Sequence, residues 1–204
     1  MTILITGAAG YIGTHICVEI LNRGDQIVLI DNLSNSKIDS LERVANITNK
    51  KFTIAKKGSN FLSLIHDEMI FINEDIRNSS ILNEIFYSFD ISAVIHLAGY
   101  KSVGESLLNP LGYYENNLIG SITLFQEMKR AKVKNLIFSS TASVYGNPES
   151  LPIKENFYAD GGTNPYGQSK IFIEKILKDL HIADPTWKIT ILRYFNPVGA
   201  HYSG

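Results

Sequence analysis

A single cysteine, Cys17, stands in the 204 residues, so no disulfide framework can hold this chain together. One thiol fits a reducing compartment and a protein stabilised by its core, with Cys17 read as a small apolar residue of the first helix. Excess charge is missing as well. The chain carries 19 basic and 20 acidic side chains, a net charge of -1. That leaves no bulk field to gather nucleic acid or an anionic membrane. No apolar run approaches the roughly 20 residues that cross a bilayer. No targeting peptide is expected either, because an apolar strand is read from Thr2 and its loop follows at once. His15, His66, His96, His181 and His201 show no metal-ligand spacing with each other or with the cysteine. These absences lead to the expectation of a cytoplasmic protein with no metal and no nucleic-acid partner.

What is present is an ordinary globular composition, 45% hydrophobic, with chain enough for one domain and a sizeable core. Short apolar strands alternate with helical stretches. Thr2–Ile5 reads as a strand, then a glycine loop, then a helix over Tyr11–Asn22 stopped by Gly24. Further strands are expected at Gln26–Asp31, Met69–Ile72, Ala93–Ala98, Asn135–Ser139 and Lys188–Arg193. Helices are expected near Ile81–Phe89, over Leu111–Ala131 and from Tyr166 to Leu180. Continuous apolar strands between helices indicate a parallel sheet covered on both faces. Right-handed crossovers then make it a doubly wound α/β sheet of the Rossmann type, six strands in all. Residues 49–68 are the least regular stretch and read as an insertion, with Lys50, Lys51, Lys56 and Lys57 as solvated lysines.

The loop Gly7-Ala-Ala-Gly10-Tyr-Ile-Gly13 sits between a strand and a helix. Gly7 permits the tight turn, Gly10 lets backbone approach a pyrophosphate, and Gly13 allows close helix–strand packing. The helix N-terminus offers free N–H groups and positive dipole to phosphates. Glycine triplets alone are weak, and this one is a residue wider than the usual spacing. Asp31 strengthens it by ending the next strand, near the roughly 20-residue distance expected. A carboxylate there accepts ribose hydroxyls and repels a 2′-phosphate, which favours NAD over NADP. The plainer reading of Asp31 is a strand-end turn residue.

Tyr166 and Lys170 lie four apart in Asn164-Pro-Tyr-Gly-Gln-Ser-Lys170, on one face of a helix. An ammonium beside a phenol that normally titrates near ~10 favours phenolate, and so a usable base. Taken alone, the pair reads as a solvated helix edge; beside a phosphate cradle it points to redox chemistry on a bound dinucleotide.

These motifs occur in order with several others: Asp31-Asn-Leu-Ser-Asn-Ser36, Asp75-Ile76, His96-Leu-Ala-Gly-Tyr-Lys101, Val103-Gly-Glu-Ser106, Tyr113-Tyr-Glu-Asn-Asn117, Phe138-Ser-Ser-Thr-Ala-Ser-Val-Tyr-Gly146 and Arg193-Tyr-Phe-Asn-Pro-Val-Gly-Ala200. Together the chain resembles the UDP-glucose 4-epimerases of the extended short-chain dehydrogenase/reductase family, over nearly its whole length except 49–68. The resemblance implies that 1–204 is the NAD-binding Rossmann domain. Residues 194–204 would open a C-terminal substrate domain that is otherwise absent.

The resemblance also implies roles. Tyr11 and Ile12 would contact pyrophosphate; Asp31, Asn32, Asn35 and Ser36 would hold the adenosine ribose; Asp75 and Ile76 would flank adenine. Leu97, Ala98, Gly99, Lys101 and Asn116 would line the cofactor trough, with Phe195 near the nicotinamide. Tyr166 would be the base, Lys170 the nicotinamide-ribose ligand, and Thr141 the hydroxyl aimed at the reacting oxygen. Lys101 and Asn196 would reach the nucleotide-sugar. The plainer readings are a strand-end cap for Thr141 and a surface lysine for Lys101. UDP-galactose and UDP-glucose are the implied pair, interconverted through a 4-keto sugar on tightly bound NAD. Family members often pair through two long helices, here near Leu111–Ala131 and Tyr166–Leu180, which implies a homodimer.

Two rival readings stand beside this. A 4,6-dehydratase needs an added acid and base beside the threonine, yet Thr141 is followed by Ala142 and Ser143. The other rival is an NAD-binding fragment without turnover, since catalysis needs the sugar held and water excluded.

Overall fold

The computed structural model describes residues 1–55 and 58–203, which leaves the expectation about Lys56 and Lys57 outside the described residues. Strands β1 (Thr2–Thr6) and β2 (Gln26–Asp31) flank helix α1 (Tyr11–Asn22), and α2 (Asp39–Thr48) leads to β3 (Phe52–Ala55) and β4 (Met69–Asn73). Then come α3 (Ser79–Ser88), β5 (Ile91–His96), α4 (Val103–Leu108) and α5 (Pro110–Tyr113). A π-helical turn over Tyr114–Ile119 runs into α6 (Gly120–Arg130), followed by β6 (Asn135–Thr141), α7 (Pro165–Ala183) and β7 (Lys188–Tyr194).

All pairings are parallel, in the order β3-β4-β2-β1-β5-β6-β7. Among the described residues the sheet therefore has seven strands, one more than expected. The added strand, β3, lies inside the 49–68 stretch read as irregular. It is a four-residue edge strand, only part-buried, pairing with β4 alone. Helices α2 and α4 were also not foreseen, and the long Leu111–Ala131 helix is interrupted by the π turn.

Alternation along each strand builds two cores. Ile3, Ile5, Ile27, Leu29, Met69 and Phe71 face α1 and α2, meeting Cys17, Leu21, Leu41 and Val44. Leu4, Val28, Ile30, Ile70, Ile72 and Val94 face the other way, toward Leu82 and Ile85 of α3, Leu124 and Met128 of α6, and Ile173 and Leu177 of α7. Cys17 is thus a core residue, its thiol pushed up to about 12 by burial. No helix among the described residues is long and apolar enough to cross a membrane.

The topology fixes where a ligand can go. The chain winds outward from β1 to β3 on one side, then crosses to β5 on the other. Register aligns Thr6 with Ile30 and with His96, and Thr141 with Tyr194, so the carboxyl ends of the strands form one rim. In open sheets of this kind the crevice at such a switch point is the binding position.

Candidate active site

A trench of about 530 Å³ follows that rim. It runs from Gly7, Gly10 and Gly13 past Asp31, Asn32, Asn35, Asp75 and Ile76. It continues along Leu97, Ala98, Gly99, Lys101 and Asn116 to Thr141, Tyr166 and Lys170, with Tyr11, Ile12, Phe195 and Asn196 at its walls. Among the nominated residues only Ser36 does not line it; its hydroxyl instead donates to Asp31 Oδ1 at 2.9 Å.

The glycine end is built to exclude side chains. Gly7 has φ +68°, and a Cβ there would lie 2.6 Å from the Ala98 nitrogen. A Cβ on Gly13 would lie 2.6 Å from the Ala8 carbonyl oxygen and 2.7 Å from that of Gly7. The loop is a bare backbone cradle ahead of α1, whose first-turn N–H groups point outward. Asp31, 8% exposed, holds that cradle in place. Its Oδ2 accepts the Ala9 N–H at 3.0 Å and its Oδ1 accepts the Leu33 N–H at 2.8 Å. The turn reading of Asp31 is therefore met, by a carboxylate that also lines the trench.

Further along, Asp75 accepts from Asn32 Nδ2 at 2.8 Å and from two Arg77 nitrogens at 2.9 Å. Burial works against its charged form, but the Arg77 and Asn32 hydrogen bonds outweigh it and hold the carboxyl down at about 2. A fixed anion thus stands beside Ile76 at this end of the trench.

The opposite end is held by α7. Asn164 caps it, accepting the Gly167 N–H at 2.9 Å, and Pro165 occupies the first turn where its missing donor costs nothing. This start aims Tyr166 and Lys170 at the end of β6. Lys170 is 4% exposed; its Nζ donates to the Ser139 carbonyl at 2.9 Å and lies 4.8 Å from the centre of the Phe138 ring. Gly99 lets the loop after β5 pass close by, since a Cβ there would sit 3.4 Å from that Nζ. Burial pulls Lys170 down to about 8, partly opposed by Glu174. Thr141 caps the short turn after β6, accepting the Ser143 N–H at 3.2 Å.

One expectation about acidity is reversed. Burial raises the Tyr166 pKa above its ordinary value, and the neighbouring Thr141 hydroxyl offsets that only in part. Helical spacing put a cation within a turn of the phenol but could not show that both would be desolvated, which favours the neutral phenol.

Sequence reasoning missed Asn117. Buried in the π turn, it accepts the Tyr100 N–H at 2.7 Å and donates to the Tyr100 carbonyl at 3.0 Å and to Ser169 Oγ at 3.1 Å. It ties the loop after β5 to α7. The only local signal was a pair of asparagines inside a helical run.

Residues 3–204 match the NAD dependent epimerase/dehydratase family. The UDP-glucose 4-epimerase of Pasteurella multocida is 51% identical over 204 residues, covering 100% of this chain and 55% of the relative. That of Bacillus subtilis is 49% identical with the same coverage. Among solved structures, UDP-glucose 4-epimerase from Bifidobacterium longum, in complex with NAD+ and UDP, superposes with a TM-score of 0.89 at 45% identity. It covers 100% of this chain and 56% of that one. The chain thus spans just over half the length of the relatives it matches.

Proposed function

The chain belongs to the NAD dependent epimerase/dehydratase family, and from that membership we propose that it is the cofactor-holding, catalytic part of a cytoplasmic UDP-glucose 4-epimerase interconverting UDP-galactose and UDP-glucose. The observation that carries the reading is the single trench joining a backbone phosphate cradle at Gly7–Gly13 to Thr141, Tyr166 and Lys170.

The residues present fit a dinucleotide. The cradle and the start of α1 take the diphosphate, where a Cβ would collide with backbone. Asp31, Asn32 and Asn35 hold the adenosine ribose, with Ser36 bonded to Asp31 from outside the trench, and Asp75 and Ile76 flank the adenine. Leu97, Ala98, Gly99, Lys101 and Asn116 line the middle, with Phe195 at the far end. Lys170 bonds the second ribose. Bound there, NAD supplies reversible hydride exchange with the sugar carbon.

The chain's own chemistry is proton handling. As the phenolate, Tyr166 Oη takes the proton of the sugar 4-hydroxyl and returns it, while the Thr141 hydroxyl orients the same oxygen. Lys101 and Asn196 steady the nucleotide-sugar. A homodimer through the helices near Leu111–Ala131 and Tyr166–Leu180 is supported by Leu111, Ile119 and Phe172, which are 79%, 52% and 40% exposed.

The test is turnover of UDP-galactose to UDP-glucose by the purified chain with NAD supplied, beside Tyr166→Phe. Turnover abolished by the substitution bears the proposal out. Saturable NAD binding without turnover favours the second reading, a cofactor-binding half that needs further protein around the sugar. That reading has its own support: Phe195 and Val198, on the sugar side, are 57% and 95% exposed.

A further inference from the structure

Lys170 and Glu174 lie one helical turn apart on α7, and they engage neighbouring residues of one strand. The Lys170 ammonium donates to the Ser139 carbonyl, and the Ser140 hydroxyl donates to Glu174 Oε1. Two consecutive turns of helix are thereby fastened to two consecutive residues of β6, immediately before Thr141. Glu174 is also gripped from β7. Arg193 donates Nε to Oε1 at 3.1 Å and a terminal nitrogen to Oε2 at 2.7 Å. Its other terminal nitrogen reaches the Tyr145 hydroxyl at 2.9 Å, and the guanidinium lies 4.9 Å from the centre of that ring. The mechanism above leaves this buried carboxylate without a task.

We propose that the Glu174–Arg193 pair is a positioning device for Lys170, holding the ammonium's charge and seating α7 against the strand end that carries Thr141. Its catalytic consequence rests on Lys170 acting as a cofactor ligand; the charge relation itself concerns this chain alone. A carboxylate one turn away favours the ammonium form. A guanidinium bound to that carboxylate cancels part of its field. The two partners therefore act on Lys170 with opposite sign.

The surroundings leave that balance to them. Burial drives Lys170 toward neutrality, and Glu174 is the group that opposes it. The other titratable groups at hand are Tyr166 on the same helix and His96 on β5. Burial holds His96 neutral, with a pKa of about 3. Arg193 of β7 and Tyr145 after β6 act through Glu174.

The experiment is an NMR titration of the Lys170 ammonium in the chain, with and without NAD, the signal assigned by its loss in Lys170→Met. Glu174→Gln is expected to lower the midpoint by about one pH unit or more, and Arg193→Gln to raise it. Simple loosening would admit water and move both midpoints up, so shifts of the same sign overturn the proposal, as do unchanged midpoints. If Glu174→Gln does not fold, Arg193→Lys decides beside Arg193→Gln. The charge-keeping variant should leave the midpoint in place while the neutral one raises it; equal rises overturn the proposal. Absence of NAD binding would defeat the proposed function and still leave the midpoints to decide this one.

Discussion

The Thr6 hydroxyl lies 2.7 Å from Nδ1 of His96, and that contact is one link of a buried hydrogen-bond chain. Ser121 spends its only hydrogen on the Asn117 carbonyl, so it accepts from Nε2–H and leaves Nδ1 to accept the Thr6 hydrogen, while Thr6 Oγ1 also accepts the Ala98 N–H at 3.2 Å. Nε2–H then donates to Ser121 Oγ at 2.8 Å, and Ser121 donates to the Asn117 carbonyl at 2.5 Å. The neutral ring satisfies every partner. A second ring proton would face the Thr6 hydroxyl and have nowhere to go.

Acid should therefore unfold the protein partly through His96. Its folded pKa, about 3, lies below the unfolded value near 6.5. The unfolded chain takes up the proton first, so the stability is present above about 6.5 and is lost as pH falls toward 3. Between pH 6.5 and 5 the loss is about 2 kcal/mol. Urea unfolding at pH 7 and 5 should show a smaller drop for His96→Asn than for wild type, although that variant starts less stable; equal drops would refute the assignment.

Gly13→Ala should cripple the cradle. Its methyl would press on two carbonyl oxygens of the loop, and backbone cannot swing away as a side chain can. NAD affinity, read by titration calorimetry, is expected to fall at least tenfold. Gly104→Ala in α4 meets nothing within 4 Å. It should leave affinity alone and gain about 0.5–1 kcal/mol in stability.

Asp31→Asn removes a charge that Ala9, Leu33 and Ser36 all donate to. NAD affinity should weaken while NADP affinity rises, because a 2′-phosphate no longer meets a carboxylate. An unchanged ratio of the two dissociation constants would mean that Asp31 serves the loop only.

In the chain alone Tyr166 should ionise above ~10, as burial requires. Ultraviolet difference titration of wild type against Tyr166→Phe isolates it. Oxidised NAD brings a positive ring into the trench, so its addition should move the midpoint down. Turnover of Tyr166→Phe should fall by about 10²–10⁴.

The parts of this site that lie close together along the chain were readable before the fold was known. The cradle and Asp31 belong to one strand–turn–helix–strand unit, and Tyr166 with Lys170 follows from helical spacing. The contacts that decide their chemistry join distant segments. Ser139 beneath Lys170, Glu174 held by Arg193, and Asn117 clamping Tyr100 all depend on which strands and helices become neighbours. Burial, too, is a property of the fold, which is why the sign of the Tyr166 shift was misread. Strand β3 escaped because its four residues between lysine pairs, with only Ala55 buried and Ile54 exposed, show no clean alternation. Helix α2 did have a signal, with Leu41, Val44 and Ala45 on one face behind Asp39 and Glu42.

The π turn at Tyr114–Ile119 makes this stretch intolerant of changes in length. Each residue of a helix turns the chain by about 100°, and the wide turn absorbs one extra residue without breaking the run. Losing a single residue there would restore a regular helix, the flanking turns staying in phase, and would remove the widened turn that carries Asn116 and Asn117. Asn116 would swing out of the trench and Asn117 away from Tyr100. Surface loops of related genes are free to gain and lose residues; here the count itself is part of the site.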